Sequence, residues 1–218
     1  MSIRVKICGL RTRDALDAAL DAGADYVGLV VYSPSPRHIE PEAVADLAKA
    51  ARGKARIVAL VVDADDALLM RIAEHIAPDI LQLHGSETPA RVAAIRAKFG
   101  RDVMKVIKVE TAADVLAAGA YAGIADHILF DAKAPTGLVG ALPGGNGLTF
   151  DWRALEGVKG ELDYMLSGGL TADNVASAIR LTGARAVDVS SGVESRPGVK
   201  DLDKIRRFIA AAKGASLG

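Results

Sequence analysis

The chain has 218 residues, of which 50% are hydrophobic and 25% are charged, and its 27 basic side chains balance its 27 acidic ones. This composition is typical of one globular domain and excludes a disordered, collagen-like or disulfide-stapled protein. A formal charge of zero argues against nucleic acid or a membrane surface as the partner. A small molecule is therefore the expected partner.

The N-terminal segment and the cysteine content indicate where the protein works. The first 14 residues contain no apolar run of signal-peptide length, and no segment approaches the roughly 18 apolar residues that a membrane span needs. Cys8 is the only cysteine, so it cannot form an internal disulfide, which fits a reducing compartment. We expect a cytoplasmic protein.

Short β-branched segments alternate with Ala- and Leu-rich segments along the whole chain. Eight segments predict strands, at residues 3–7, 26–31, 57–62, 79–83, 103–107, 127–131, 163–167 and 186–189. Apolar residues recur at helical spacing between them, as in Leu16, Ala19 and Leu20. Four threonines are expected at helix N-caps, namely Thr12, Thr88, Thr111 and Thr171.

The predicted strands are nearly continuous apolar runs, as at residues 57–62. Such runs are typical of a parallel sheet that is buried on both faces. Eight strand-helix units over residues 1–218, at about 27 residues per unit, predict a single closed (β/α)8 TIM barrel. A doubly wound open sheet would have fewer strands and a glycine fingerprint after the first one. The first strand here is followed by Cys8-Gly9-Leu10 instead.

Active sites of such barrels form at the C-terminal ends of the strands. Two loops of small residues follow the last two predicted strands, Ser167-Gly168-Gly169 and Ser190-Ser191-Gly192. Loops without large side chains leave backbone N–H groups and hydroxyls free to surround a phosphate group. The alternative is that these glycines only make tight turns. We favour the phosphate site because both loops occur where this fold usually binds phosphate.

Two strand-end side chains are candidates for acid-base chemistry. Beside a cation such as Lys6 or Arg37, the Cys8 sulfur would be partly ionised and able to accept a proton. Its position is equally compatible with a small buried hydrophobic residue. Asp131 suits a general acid under a loop that excludes water, because a carboxylate there is costly unless paired or used. The alternatives for Asp131 are an ion pair with Lys133 and a turn-initiating role.

Three further polar residues and one loop are expected at the site. Arg37 lies in a proline-containing loop, where we expect a bidentate grip on a carboxylate instead of a solvated surface arginine. His84 either orients a substrate or is hydrogen-bonded within the rim. Asp188 either binds a ligand hydroxyl or is a structural carboxylate beside Lys6 or Arg37. The glycine-rich residues 133–148 predict a mobile active-site loop.

The motifs occur in a specific order along the whole chain: Lys6-Ile7-Cys8-Gly9, Ser35-Pro36-Arg37, Leu81-Gln82-Leu83-His84-Gly85, Asp131, Gly144-Gly145-Asn146-Gly147, Phe150-Asp151-Trp152, Ser167-Gly168-Gly169-Leu170 and Val187-Asp188-Val189-Ser190-Ser191-Gly192-Val193-Glu194. Together they resemble the phosphoribosylanthranilate isomerase family. The resemblance implies an Amadori rearrangement in tryptophan biosynthesis, in which N-(5-phosphoribosyl)anthranilate becomes 1-(2-carboxyphenylamino)-1-deoxyribulose 5-phosphate. It also implies that Asp131 is the acid that opens the ribose ring, Cys8 the base that removes the C2 proton, and Arg37 the group that holds the anthranilate end.

The same resemblance implies a reaction that needs no cofactor. The four histidines lack metal-ligand spacing, so we expect no metal. Two other functions stay open, an Amadori isomerase of the histidine pathway and a noncatalytic barrel that binds a sugar phosphate. The histidine-pathway family works with two carboxylates, whereas the first strand here ends in Cys8. The sequence leaves a monomer and a homodimer equally open.

Overall fold

A computed structural model describes residues 2–133, 144–145 and 147–217. Eight parallel strands close into a barrel in chain order, and β8 pairs with β1. The strands are β1 Arg4–Cys8, β2 Tyr26–Val30, β3 Arg56–Val61, β4 Ile80–Leu83, β5 Asp102–Val109, β6 His127–Ala132, β7 Tyr164–Leu166 and β8 Ala186–Val189. The closed barrel predicted from the sequence is confirmed, and each predicted strand boundary lies within two residues of the observed one.

Helices cover the outside of the barrel. They are α1 Arg13–Asp21, α2 Pro41–Ala51, α3 Asp66–His75, α4 Pro89–Phe99, α5 Ala112–Leu116, α6 Val175–Thr182 and α7 Leu202–Lys213. Between β6 and β7 the described residues form a 3-10 helix, Trp152–Val158, where the repeating pattern predicts an α-helix. Gly157 and Gly160 disfavour further helical turns there. In the described part of the chain, every helix is too short or too polar to cross a bilayer.

Three of the four predicted N-caps are confirmed. Thr12 and Thr88 accept hydrogen bonds from backbone N–H groups three residues later, and Thr111 caps α5. The prediction for Thr171 is wrong, because α6 begins only at Val175, after Asn174. The Asn174 side-chain oxygen accepts the Thr171 N–H at 2.8 Å, so the asparagine amide organises a turn before the helix starts.

The inside of the barrel changes from apolar to polar along its axis. An apolar layer near the N-terminal ends of most strands consists of Tyr26, Val58, Ile80, Met104, Val106, Leu129, Met165 and Ala186. Further along, the register of β1 and β8 places Lys6 opposite Asp188, and both are buried. Side chains alternate along a strand, so Cys8 follows Lys6 on the same face of β1. The polar residues thus gather at the end where the strands terminate.

A short hairpin follows β8 and was not predicted from the sequence. It consists of β9 Glu194–Arg196 and β10 Val199–Lys200, which pair antiparallel around Pro197 and Gly198. Gly198 has a φ of +79°, a left-handed conformation that glycine adopts at little cost. The hairpin brings Lys200 back to the buried end of β8, where it donates a hydrogen bond to the Ser190 carbonyl at 2.9 Å.

Candidate active site

A pocket opens at the C-terminal ends of the barrel strands. All ten residues that the sequence singles out line it, namely Cys8, Arg37, His84, Asp131, Gly168, Gly169, Asp188, Ser190, Ser191 and Gly192. The described end of the glycine-rich segment contributes Gly144, Gly145 and Gly147. Residues 134–143 and 146 of the predicted mobile loop lie outside the described residues.

Cys8 lies at the floor of this pocket, with only 3% of its surface exposed. Its apolar neighbours are Val30 and Leu60. Burial raises the pKa of the Cys8 thiol, and the positive charge of Lys6 offsets that rise only in part. Lys6 is therefore the cation beside the sulfur. Cys8 packs against apolar side chains and is also exposed to the positive charge of Lys6.

Asp188 binds Lys6 on the inside of the barrel. Its Oδ1 atom accepts a hydrogen bond from Lys6 Nζ at 2.9 Å, and its Oδ2 atom accepts one from Ser167 Oγ at 3.2 Å. Burial alone would lower the pKa of Lys6, but Asp188 and Cys8 outweigh burial and raise the pKa. The alternative in which Asp188 is a buried carboxylate beside Lys6 describes its contacts correctly, and the carboxylate still lines the pocket.

Asp131 ends β6 beside His84. Its Oδ1 atom accepts the Ala132 N–H at 2.9 Å, and its Oδ2 atom lies 3.2 Å from His84 Nε2 without the alignment of a hydrogen bond. The alternative ion pair with Lys133 is wrong, because Lys133 Nζ lies 3.4 Å from Glu110 instead. The carboxylate thus faces the pocket with the His84 imidazole as its neighbour.

Arg37 is buried, with 4% of its surface exposed, so the alternative of a solvated surface arginine is wrong. Its Nε and Nη2 atoms each donate to Glu194 at 2.8 Å, and Nη2 also donates to the Gly145 carbonyl at 3.1 Å. The expected bidentate grip on a substrate carboxylate needs correction, because Glu194 occupies these two donors. Among the described residues none accepts a hydrogen bond from Nη1.

Glu194 and Lys200 form a buried network that the sequence analysis did not find. Glu194 Oε1 accepts from both Arg37 and Lys200, the latter at 2.9 Å. Burial would raise the pKa of Glu194, but these two cations lower it; burial lowers the pKa of Lys200. The network ties Arg37 to the Ser190 loop. Glu194 stands in the quoted motif after the last strand, but nothing in the sequence pairs it with Arg37.

The two small-residue loops keep space open at the other side of the pocket. Gly168 and Gly169 have φ values of +90° and +61°, and a Cβ atom at Gly168 would lie 2.8 Å from the Ala132 nitrogen. A side chain is therefore excluded there on both conformational and steric grounds. Within the described residues, the N–H groups of Gly168 and Gly169 donate to no acceptor. Gly168 and Gly169 thus form a tight turn and also carry N–H groups that have no acceptor within the described residues.

Gln82 is a pocket residue to which the sequence analysis gave no role. Its side chain on β4 is fully buried and lines the pocket, and neither its oxygen nor its nitrogen has a partner among the described residues. Its polarity on an otherwise apolar strand was the available signal. The described residues contain no group of three or more His, Cys, Asp or Glu side chains arranged to hold a metal ion.

Comparison with known families accounts for this combination of barrel and pocket. The family described as N-(5'-phosphoribosyl)anthranilate (PRA) isomerase matches residues 5–211. The chain belongs to this family. The N-(5'-phosphoribosyl)anthranilate isomerases of Paramagnetospirillum magneticum and Rhodopseudomonas palustris strain BisA53 are 56% and 57% identical to it. Each alignment covers 98% of this chain, and 99% and 97% of the respective relative.

Solved structures agree with the family assignment. Phosphoribosylanthranilate isomerase from Thermotoga maritima is 34% identical, with a TM-score of 0.86 over 97% of this chain and 99% of that one. A second structure, 32% identical with a TM-score of 0.84 over the same shares, holds reduced 1-(o-carboxyphenylamino)-1-deoxyribulose 5-phosphate. A third, of monomers of the dimeric Thermotoga maritima enzyme, is 34% identical with a TM-score of 0.83, again over 97% and 99% of the two chains.

Proposed function

We propose that this member of the family converts N-(5-phosphoribosyl)anthranilate into 1-(2-carboxyphenylamino)-1-deoxyribulose 5-phosphate, with Asp131 as general acid and Cys8 as general base. The observation that carries this proposal is the convergence of a buried thiol, a buried carboxylate, an arginine and two small-residue loops on one pocket. Family membership supports the reaction, which belongs to tryptophan biosynthesis. The pocket supports the assignment of roles.

The first step is opening of the ribose ring. Asp131 donates its proton to the ring oxygen, the C1–O bond breaks, and the anthranilate nitrogen lone pair forms a protonated Schiff base with C1. The position of Asp131 supports this role, since Asp131 lines the pocket and its Oδ2 atom lies 3.2 Å from His84 Nε2. The acid thus acts from the β6 side of the pocket.

The second step is removal of the proton on C2. The Cys8 thiolate takes this proton, the C2–H electron pair forms a C1–C2 double bond, and the electrons of the C1–N double bond neutralise the nitrogen. The resulting enolamine gains a proton at C1 and loses the proton of its C2 hydroxyl, which gives the ketone. Atoms and electrons balance within the substrate, so the steps involve no external oxidant or reductant.

The remaining pocket residues bind the two ends of the substrate. Gly168 and Gly169, with the β8 loop Ser190-Ser191-Gly192, hold the phosphate through N–H groups and hydroxyls. The Nη1 atom of Arg37 holds the anthranilate carboxylate. His84 and Asp188 complete the set of substrate-binding residues.

The proposal extends to the organisation of the protein. Residues 1–218 form one catalytic domain, which the continuous barrel from β1 to α7 supports. A cytoplasmic location suits a chain whose only thiol must stay reduced to act as a base. The partner is a phosphorylated small molecule, with neither nucleic acid nor a membrane involved. The assembly is a monomer or a homodimer, and one relative of known structure is described as dimeric.

The deciding experiment mixes the purified protein with freshly generated phosphoribosylanthranilate in the presence of a chelator and follows anthranilate fluorescence. We expect a change at a rate proportional to enzyme concentration, with the product identified by chromatography and mass. A binding-only barrel would give complex formation without product. Turnover of the histidine-pathway substrate in place of this one would support that rival instead.

Arg37→Lys is expected to impair turnover of the anthranilate substrate. Lysine keeps the charge, but one ammonium cannot hold both Glu194 oxygens and still reach the substrate carboxylate. The measurement is kcat/KM of both proteins with the natural substrate and with an analogue lacking the ring carboxylate. We expect a double-difference energy of about 1.5 to 3 kcal/mol, the range for a charge-assisted hydrogen bond.

Arg206→Lys is the matched control for this variant. Arg206 is half-exposed and pairs with Asp203 on α7, outside the pocket. It should give wild-type kcat/KM with both compounds. A double-difference energy near zero for Arg37→Lys would mean that Arg37 supports the pocket through Glu194 alone and does not contact the anthranilate carboxylate.

A further inference from the structure

Lys6 and Cys8 face a common space inside the barrel. They lie two residues apart on β1, and Cys8 is opposite Gly28 in the register with β2. A Cβ atom at Gly28 would lie 3.1 Å from Cys8 Sγ and 3.2 Å from Lys6 Nζ. The sulfur and the ammonium therefore border the same methyl-sized space, which only a glycine at this position leaves open.

The ammonium of Lys6 is fixed in this position. The side chain is completely buried, and its Nζ atom donates to Asp188 Oδ1 at 2.9 Å. Ser167 Oγ donates to the other carboxylate oxygen at 3.2 Å, so the carboxylate is held from two sides. An unpaired buried ammonium would be costly, and Asp188 removes much of that cost. The result is a charged group held next to the one thiol of the chain.

We propose that Lys6 is a positioning residue for the base, whose ammonium stabilises the Cys8 thiolate while Asp188 and Ser167 hold the ammonium next to the sulfur. The inference deepens the proposed function and rests on the role of Cys8 in it. It also gives Asp188 a task besides substrate binding, since that carboxylate orients the cation.

The other charged groups around Cys8 do not replace Lys6. Lys200 of β10 also favours the thiolate, but its effect on the pKa of Cys8 is smaller than that of Lys6, and Asp188 opposes both. Arg37 is held by Glu194. His84 and Asp131 line the pocket from β4 and β6. Lys6 combines the larger favourable charge with a position beside the same space as the sulfur.

The test uses the fact that the chain has one cysteine. The rate of alkylation by iodoacetamide, followed by mass spectrometry without substrate, reports the thiolate fraction of Cys8 at each pH. In Lys6→Met the alkylation midpoint should move to higher pH, with alkylation at pH 8 slower by about tenfold or more, since one pKa unit changes the thiolate fraction tenfold. The loss of kcat at neutral pH should be partly recovered at alkaline pH, with little change in KM.

Two further variants keep the test decisive if Lys6→Met does not fold. Lys6→Met with Asp188→Asn removes both charges, so no unpaired carboxylate remains, and its midpoint should lie between those of wild type and Lys6→Met. Gly28→Ala keeps every charge but pushes sulfur and ammonium apart, and should also slow alkylation. Wild-type alkylation profiles in the folded variants would overturn the proposal.

The matched control removes another buried pair of the same kind. Lys105 Nζ lies 2.7 Å from Glu87 Oε2, and both side chains are buried outside the pocket lining. Lys105→Met with Glu87→Gln should leave the alkylation profile of Cys8 unchanged; a shift equal to that of the Lys6 variants would also overturn the proposal. A shifted profile in a protein that does not turn over phosphoribosylanthranilate would refute the proposed function alone.

Discussion

Cys8→Ser is expected to lower kcat by about 10²- to 10⁴-fold, the range that a general base contributes. Serine keeps the size of the side chain, but its hydroxyl is far less acidic than a thiol, so it does not supply an anionic base. The change in KM should be modest because the base acts mainly in the transition state. Steady-state kinetics with phosphoribosylanthranilate measure both quantities, and thermal unfolding checks that the variant is folded.

Val30→Ala is the matched control for Cys8. Val30 packs in the same small cluster and also lines the pocket, but it has no proton to exchange. It should lower stability by removing buried methyl groups while keeping kcat within a few-fold of wild type. If Cys8→Ser behaves like Val30→Ala, Cys8 is a packing residue and the base must be another group.

The barrel follows from the sequence because its local signals agree with one another. Apolar runs such as residues 57–62 form strands buried on both faces, and Thr12 and Thr88 cap the helices that they precede. The prediction fails at Thr171, where Asn174 supplies the competing turn. It also fails after β6, because a mean repeat length does not reveal that a 3-10 helix takes the place of an α-helix.

The sequence predicts which side chains line the pocket, because these lie at the ends of the predicted strands. In a parallel barrel the C-terminal strand residues meet at one mouth, so Cys8, His84, Asp131 and Asp188 are predictable as neighbours of a common pocket. Pairings between side chains are not predictable in this way. The contact of Arg37 with Glu194 depends on a short hairpin whose strands have three and two residues, too few for a periodic signal.

Asp131→Asn is expected to reduce kcat by a factor similar to that of Cys8→Ser, about 10²- to 10⁴-fold. An asparagine oxygen can still accept the Ala132 N–H, so the side chain keeps its position at the end of β6. The amide that replaces Oδ2 has no acidic proton to give to the ribose ring oxygen. Ring opening would then become rate-limiting, and the substrate should still bind with near-normal affinity.

His84→Gln tests whether the fall in kcat of Asp131→Asn comes from loss of the acid at Asp131 itself. His84 Nε2 lies 3.2 Å from Asp131 Oδ2, so the imidazole is the other group placed to donate a proton. We expect a smaller fall in kcat for His84→Gln than for Asp131→Asn, because the imidazole orients the substrate and does not donate the proton. The control is Lys133→Ala, because the Lys133 ammonium lies beside Glu110. Its kcat should match that of wild type. Free turnover by Asp131→Asn with an inactive His84→Gln would transfer the role of acid to His84.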